Sequence, residues 1–166
     1  PKNEKRQNIM KNEPQNTAFK APNLNANPPR SPRVRHGGYA ILPRLLDKCR
    51  ADIAGLIGEY HTNCTIDREF LDYTGIDYDA LRKHVSAGMS DGELLDWIKE
   101  NTTVSQTPWE IEQWSSYQGH RAPEPHTDSG VYFLEVLASH NKNRGDVSSW
   151  ADILDLDDYC SFGGAA

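Results

Sequence analysis

From residue 37 onward, apolar side chains recur at three- and four-residue steps, the spacing of helices rather than of strands. Leu42, Leu45, Leu46, Cys49, Ile53 and Leu56 form one such stripe. Pro43 stands in its first turn, where the missing N–H forfeits no bond. Arg44, Asp47, Lys48 and Arg50 fall on the other side, so the pattern predicts an amphipathic helix ending near residues 55–58. Asp67 opens a segment carrying Phe70, Leu71 and Tyr73 that Gly75 closes, and Asp77 opens another carrying Leu81 and Val85 that Gly88 closes. Ser90 and Glu93 make a capping box before Leu94, Leu95, Trp97 and Ile98. Thr107, Pro108 and Glu110 start a helix through Ile111, Trp114 and Tyr117, with its end set at Gly119.

A Pro-rich loop then leads to residues 128–141, where Val131, Tyr132, Phe133, Leu134, Val136, Leu137 and Ala138 are apolar almost all round. Such a helix is expected at the centre of a small domain. Ser149 and Asp152 cap a last helix with Ile153, Leu154 and Leu156, followed by a loose end over residues 161–166. Residues 57–65 read as irregular chain or a short strand, and no segment alternates as a paired strand would. The expectation is an all-α domain of six or seven short helices over residues 37–160.

Residues 1–36 read differently. Apolar side chains are sparse there, while six Pro and seven Asn crowd the segment. Such chain buries too little apolar surface to offset the entropy lost on ordering, so an extended, non-regular arm is expected. Charge divides at the same place: the arm carries +6 and the remainder −12, within an overall −6. A basic arm is drawn to phosphates, anionic lipid heads or an acidic protein surface. Its candidate partner-binding residues are Lys2, Lys5, Arg6, Lys11, Phe19, Lys20, Leu24, Arg30, Arg33 and Arg35.

No apolar run approaches the length needed to span a bilayer, and no signal-peptide core opens the chain. A chain beginning at Pro1 reads as a product trimmed of its initiator Met. Three widely spaced cysteines, Cys49, Cys64 and Cys160, do not suggest a disulfide framework. A cytoplasmic location is expected, extending to a peripheral position at the cytoplasmic face of the inner membrane.

Chemistry is thinly marked. His61 and Cys64 have metal-ligand spacing, but zinc sites take two such pairs and the sequence has no second, so neither a metal nor a cofactor is expected. Glu59, Tyr60 and His61 place an acid, a phenol and an imidazole together and are the candidates for acid–base work. The glycines at 37–38 lack the flanking residues of a phosphate loop or dinucleotide site. Trp97, Trp109, Trp114 and Trp150 are expected mostly in the core, with one or two as exposed anchors for a partner. Asp152, Asp155, Asp157 and Asp158 lack the glycine and terminal Glu of a calcium loop and read as a solvated face.

The run SPRVRHGGYAILPRLLDKCRADIAGLIGEYH, continuing into CTIDREFLDYTGID and DGELLDWIKEN, resembles a family of small bacterial proteins classed as domain of unknown function 5069. The likeness covers about residues 31–159 and leaves out the Asn/Pro-rich arm. It implies a single bacterial domain and no particular activity or catalytic residues.

Three functions were weighed on this basis. The first is a non-catalytic accessory subunit whose arm docks on a larger assembly, such as a respiratory or photosynthetic membrane complex at its cytoplasmic face. The second is a small enzyme built on Glu59, Tyr60 and His61. The third, nucleic-acid binding, ranks last: the acidic body repels phosphate, and Phe19 is the arm's lone aromatic for base stacking.

Overall fold

The structure, a computed structural model, describes residues 19–166. These form seven helices: α1 Leu42–Ile53, α2 Thr65–Thr74, α3 Tyr78–Ser86, α4 Asp91–Asn101, α5 Pro108–His120, α6 Asp128–Asn141 and α7 Trp150–Ser161. Among the described residues no strand occurs, apart from an isolated bridge between His36 and Tyr39. Residues 57–64 are irregular.

Capping accounts for most boundaries. Ser90, Thr107 and Ser149 each accept a hydrogen bond from the third residue of their helix, whose carboxylate returns to the cap N–H. Asp77 and Thr127 cap α3 and α6 through their side chains, and left-handed Gly75 ends α2. At α2 the helix begins two residues before Asp67, with Cys64 as cap, and Asp67 is buried inside the first turn instead. Gly119 lies within α5, which runs on to His120.

α1 is the central helix. Nine of its twelve residues are buried, including Arg44, Asp47 and Lys48 from the side expected to be wet. Leu42, Leu45, Leu46 and Cys49 pack with Phe70, Leu71, Leu81, Val85, Leu94 and Ile98 into the main core. Burying each such Leu or Phe stabilises the fold by about 1.5–3 kcal/mol. The turn into α1 is tight. Gly37 has φ 59°, and a Cβ there would sit 2.5 Å from Leu95, so glycine is needed on both counts. Ser115 on α5 holds this turn from outside, accepting from the Ala40 N–H at 2.9 Å and donating to the Gly38 carbonyl at 2.7 Å.

Residues 19–36, expected as part of a free arm, instead form an irregular strap laid over the helices. Leu24 is 2% exposed, and its N–H donates to the Leu56 carbonyl at 2.9 Å. Phe19 packs against the main core, and Pro29 and Pro32 are buried. The segment lacks helical periodicity, yet its few apolar side chains each find a place, and tertiary burial supplies what local pattern does not. A division at residue 36 therefore falls inside the folded body. The candidate binding residues Lys2, Lys5, Arg6 and Lys11 lie outside the described residues.

A second, smaller core joins α6 to α7: Phe133, Leu137, Val147, Ile153 and Leu156, with Val136, Trp150 and Cys160 against it. It shares no residue with the main core. The expectation that α6 is central is therefore corrected. α6 buries Gly130, Phe133 and Leu137, while Val131, Tyr132 and Leu134 are 52%, 60% and 63% exposed. Its neighbour α7 covers one face, and among the described residues the opposite side stays exposed.

Candidate functional site

The residues richest in chemistry lie where the strap and α1 meet α7. Arg30 is forked onto Asp47 of α1, with Nε and one terminal nitrogen at 2.8 and 2.7 Å, and reaches Asp91 of α4 at 2.7 Å. Arg50 holds the other Asp91 oxygen at 2.6 Å. Burial works against ionisation of Asp91, but these two guanidiniums outweigh it and keep the carboxyl below its usual range. Arg33 reaches across to α7, pairing with Asp152 and, at 2.5 Å, with Asp155. Arg35 pairs with Glu112 of α5 at 2.5 Å. The three arginines expected to meet an outside partner thus meet carboxylates of their own body.

Arg44 completes the row. It is 3% exposed and grips both oxygens of Asp158, at 2.6 and 3.1 Å, while its guanidinium lies 5.6 Å from the Tyr60 ring. The Tyr60 hydroxyl donates to Asp158 at 2.7 Å. Burial and this donated bond both push the phenol well above its ordinary range, so Tyr60 stays protonated at neutral pH. Asp152, Asp155 and Asp158 recur every third residue on one side of α7. The reading of this acidic run as a solvated face is corrected: Asp158 is 6% exposed, and the other two face Arg33. For Asp152, burial opposes ionisation. The N–H groups of Ser148 and Ser149, the Ser149 hydroxyl and Arg33 prevail, holding the carboxyl down to about 2.

Glu59, Tyr60 and His61 do not converge. Glu59 and His61 are exposed, Tyr60 is turned into the Arg44–Asp158 pair, and among the described residues no hydrogen bond joins the three side chains. Glu59 and Tyr60 line an open cleft of about 380 Å³ with Leu24, Asn25, Asp157 and Phe162. Chemically the cleft offers two carboxylates, an amide and two aromatic rings.

His61 and Cys64 come near each other through Lys48. Its ammonium donates to the His61 carbonyl at 3.0 Å and to the Cys64 sulfur at 3.3 Å, and sits 2.8–2.9 Å from both Asp67 oxygens. The pair is almost completely buried, with side-chain exposures of 4% and 1%. The Cys64 sulfur thus faces a cation, and the His61 contact is through its backbone carbonyl rather than its imidazole. Among the described residues, no cluster of three or more His, Cys, Asp or Glu is placed to hold a metal.

The outward faces of α5 and α6 carry the remaining signal. Trp109 is 69% exposed and Tyr117 is also exposed, two turns along the same side of α5. Trp97, Trp114 and Trp150 pack against the two cores, as expected of most of the four. On α6, Val131, Leu134 and Ala138 form an open stripe with Tyr132 beside it. From residue 122 to 141 there is no Lys or Arg, and among the described residues the exposed Glu124, Asp128 and Glu135 take part in no ion pair.

Arg44, Lys48 and Asp158 are buried ions at positions that a lone amphipathic helix presents to water, and their burial is not legible in the sequence. Asp67 carried one faint sign. A carboxylate expected to be a cap sits three residues before Phe70, on the stripe that also holds Leu71 and Thr74.

No helix among the described residues is long and apolar enough to cross a membrane. No curated protein matches the chain. The family model described as domain of unknown function DUF5069 matches residues 26–160, beginning within the strap and ending one residue short of the end of α7. The chain belongs to this family.

Proposed function

We propose that the protein is a non-catalytic accessory subunit that docks on a larger assembly. Residues 1–20 act as a basic tether in this reading, and the outward face of α6 supplies apolar contact. The observation that carries it is α6, which leaves Val131, Tyr132 and Leu134 more than half exposed outside both apolar cores. Aromatic and aliphatic side chains in open positions are the usual anchors of an interface. The folded strap narrows the tether: with Arg30, Arg33 and Arg35 paired internally, the cations assigned to it are Lys2, Lys5, Arg6 and Lys11, with exposed Lys20. These suit an acidic protein surface. They also suit the anionic cytoplasmic face of a membrane complex, where each contributes on the order of 1 kcal/mol.

Affinity purification with the full chain, with residues 19–166, and with a Tyr132→Ser, Leu134→Ser variant tests this reading. The expected result is one multi-subunit assembly recovered in fixed stoichiometry by the full chain and depleted in both altered forms. Equal recovery by all three forms would overturn it. Co-sedimentation with phosphatidylserine vesicles, compared between the full chain and residues 19–166, separates attraction to lipid from attraction to protein.

A further inference from the structure

The two apolar cores meet across a seam of unusual composition. On the body side stand Arg33, Arg44 and Tyr60, and on the α7 side Asp152, Asp155 and Asp158. Where α5 approaches α7, the buried residues are Ser115 and Gln118 on one helix and Ala151 on the other, beside buried Ser149. Gln118 donates to Glu69, which in turn pairs with Arg121, and the Arg121 carbonyl accepts from the Trp150 N–H at 3.0 Å. Leu24 and Phe162, at one end, line the same cleft and supply apolar contact there. These ion pairs and hydrogen bonds join the α6–α7 hairpin to the body, while inside the hairpin α6 and α7 share an apolar core flanked by the His140–Asp157 pair at 2.8 Å.

We infer that the α6–α7 hairpin is a latch: a unit that opens from the body as a whole, with its own small core intact, and whose closure depends on ionic strength. The physical reason is an asymmetry of forces. The half-exposed pairs of Arg33 with Asp152 and Asp155 weaken as salt screens them, whereas the buried Arg44–Asp158 pair is screened much less and the apolar contacts inside the hairpin and inside the main core are not screened. Regions joined by few apolar contacts open at lower free energy than the cores they join. Opening exposes Arg33, Arg44 and the Tyr60 hydroxyl together, so the α7 carboxylates act as an internal cover over a guanidinium-bearing face. This inference stands apart from the docking proposal, since it concerns the seam and not the outer face of α6.

Hydrogen exchange of the full chain, read by mass spectrometry at about 0.05 and 1 M NaCl, tests it. Peptides from α6 and α7 are expected to exchange together, ahead of those from α1 and α2, and to accelerate at least about threefold at the higher salt while α1 and α2 change little. Arg33→Gln loosens the half-exposed part of the seam and leaves buried Arg44 in place. It is expected to bring the fast hairpin exchange to low salt and to flatten the salt response. Exchange of α6–α7 in step with α1–α2 at both salt concentrations would overturn the latch. So would an Arg33→Gln hairpin that exchanges like the unaltered one. Should that variant fail to fold, the salt series on the unaltered chain decides alone.

Discussion

α1 and α6 exchange the places their compositions suggest. α1 carries Arg44, Asp47, Lys48, Arg50 and Asp52 in twelve residues, yet it is the most buried helix in the molecule. α6 has Asp128 and Glu135 as its charged side chains over fourteen residues, yet most of its surface is open. The difference is one of partners. Each buried charge of α1 meets an opposite charge brought from elsewhere in the chain: Asp158 for Arg44, Arg30 for Asp47 and Asp67 for Lys48. Desolvating these ions is tolerable because they are paired and hydrogen-bonded. Among the described residues α6 packs chiefly on α7 and leaves Val131, Tyr132 and Leu134 exposed, so its extra apolar surface stays outside. Hydrophobicity favours the interior, and available partners decide which helix takes it.

The sharpest way to break this comparison is to remove one charge from the centre of α1. Lys48→Met leaves Asp67 buried without its counter-ion and is expected to cost about 3–5 kcal/mol in denaturant unfolding. Pairing it with Asp67→Asn should restore much of the loss. A cost within about 0.5 kcal/mol would mean the pair is not buried as described.

Acid probes the same contrast more gently, at the seam. The Asp152 carboxyl titrates at about 2 in the folded chain, below its unfolded value of about 3.9. A depressed folded value means the stabilisation is present above the unfolded value and lost as pH falls toward the folded one. Between about pH 4 and 2, amide exchange across α6 and α7 should therefore accelerate before that of α1 and α2, while Trp150, packed on Phe133 inside the hairpin, and Trp114, stacked on Tyr73 in the main core, keep their near-ultraviolet dichroism. Simultaneous acceleration in both regions would show that the seam does not yield first.

The smallest effect on stability is expected on the open side of α6. Leu134→Ser should change unfolding free energy by no more than about 0.5 kcal/mol, as for other surface positions. A loss of 2 kcal/mol or more, of the order seen for large-to-small changes in a core, would place Leu134 inside after all.

Local structure was legible in the sequence because its causes are local. The capping boxes at Ser90, Thr107 and Ser149 and the Asp77 cap mark helix starts within a few residues of themselves, and no tertiary contact is needed to recognise them. The expectation of six or seven helices, of which the described residues form seven, follows from the same three-and-four spacing. The strap was not legible, since Leu24, Arg30, Arg33 and Arg35 are too scattered for any periodic pattern and are placed only by Leu56, Asp47, Asp91, Asp152, Asp155 and Glu112. Nor was the candidate site. Glu59, Tyr60 and His61 are neighbours in sequence, but Tyr60 belongs to Arg44 and Asp158, from helices before and after it.

Sequence alone therefore determined the helices, most of their starts and the family to which the chain belongs. Tertiary structure alone decided which helix is central, which arginines are spent on the body and where the two cores part. The reason is physical: a helix start is set by atoms three residues away, whereas the burial of a charge is set by an opposite charge as far as 114 residues along the chain.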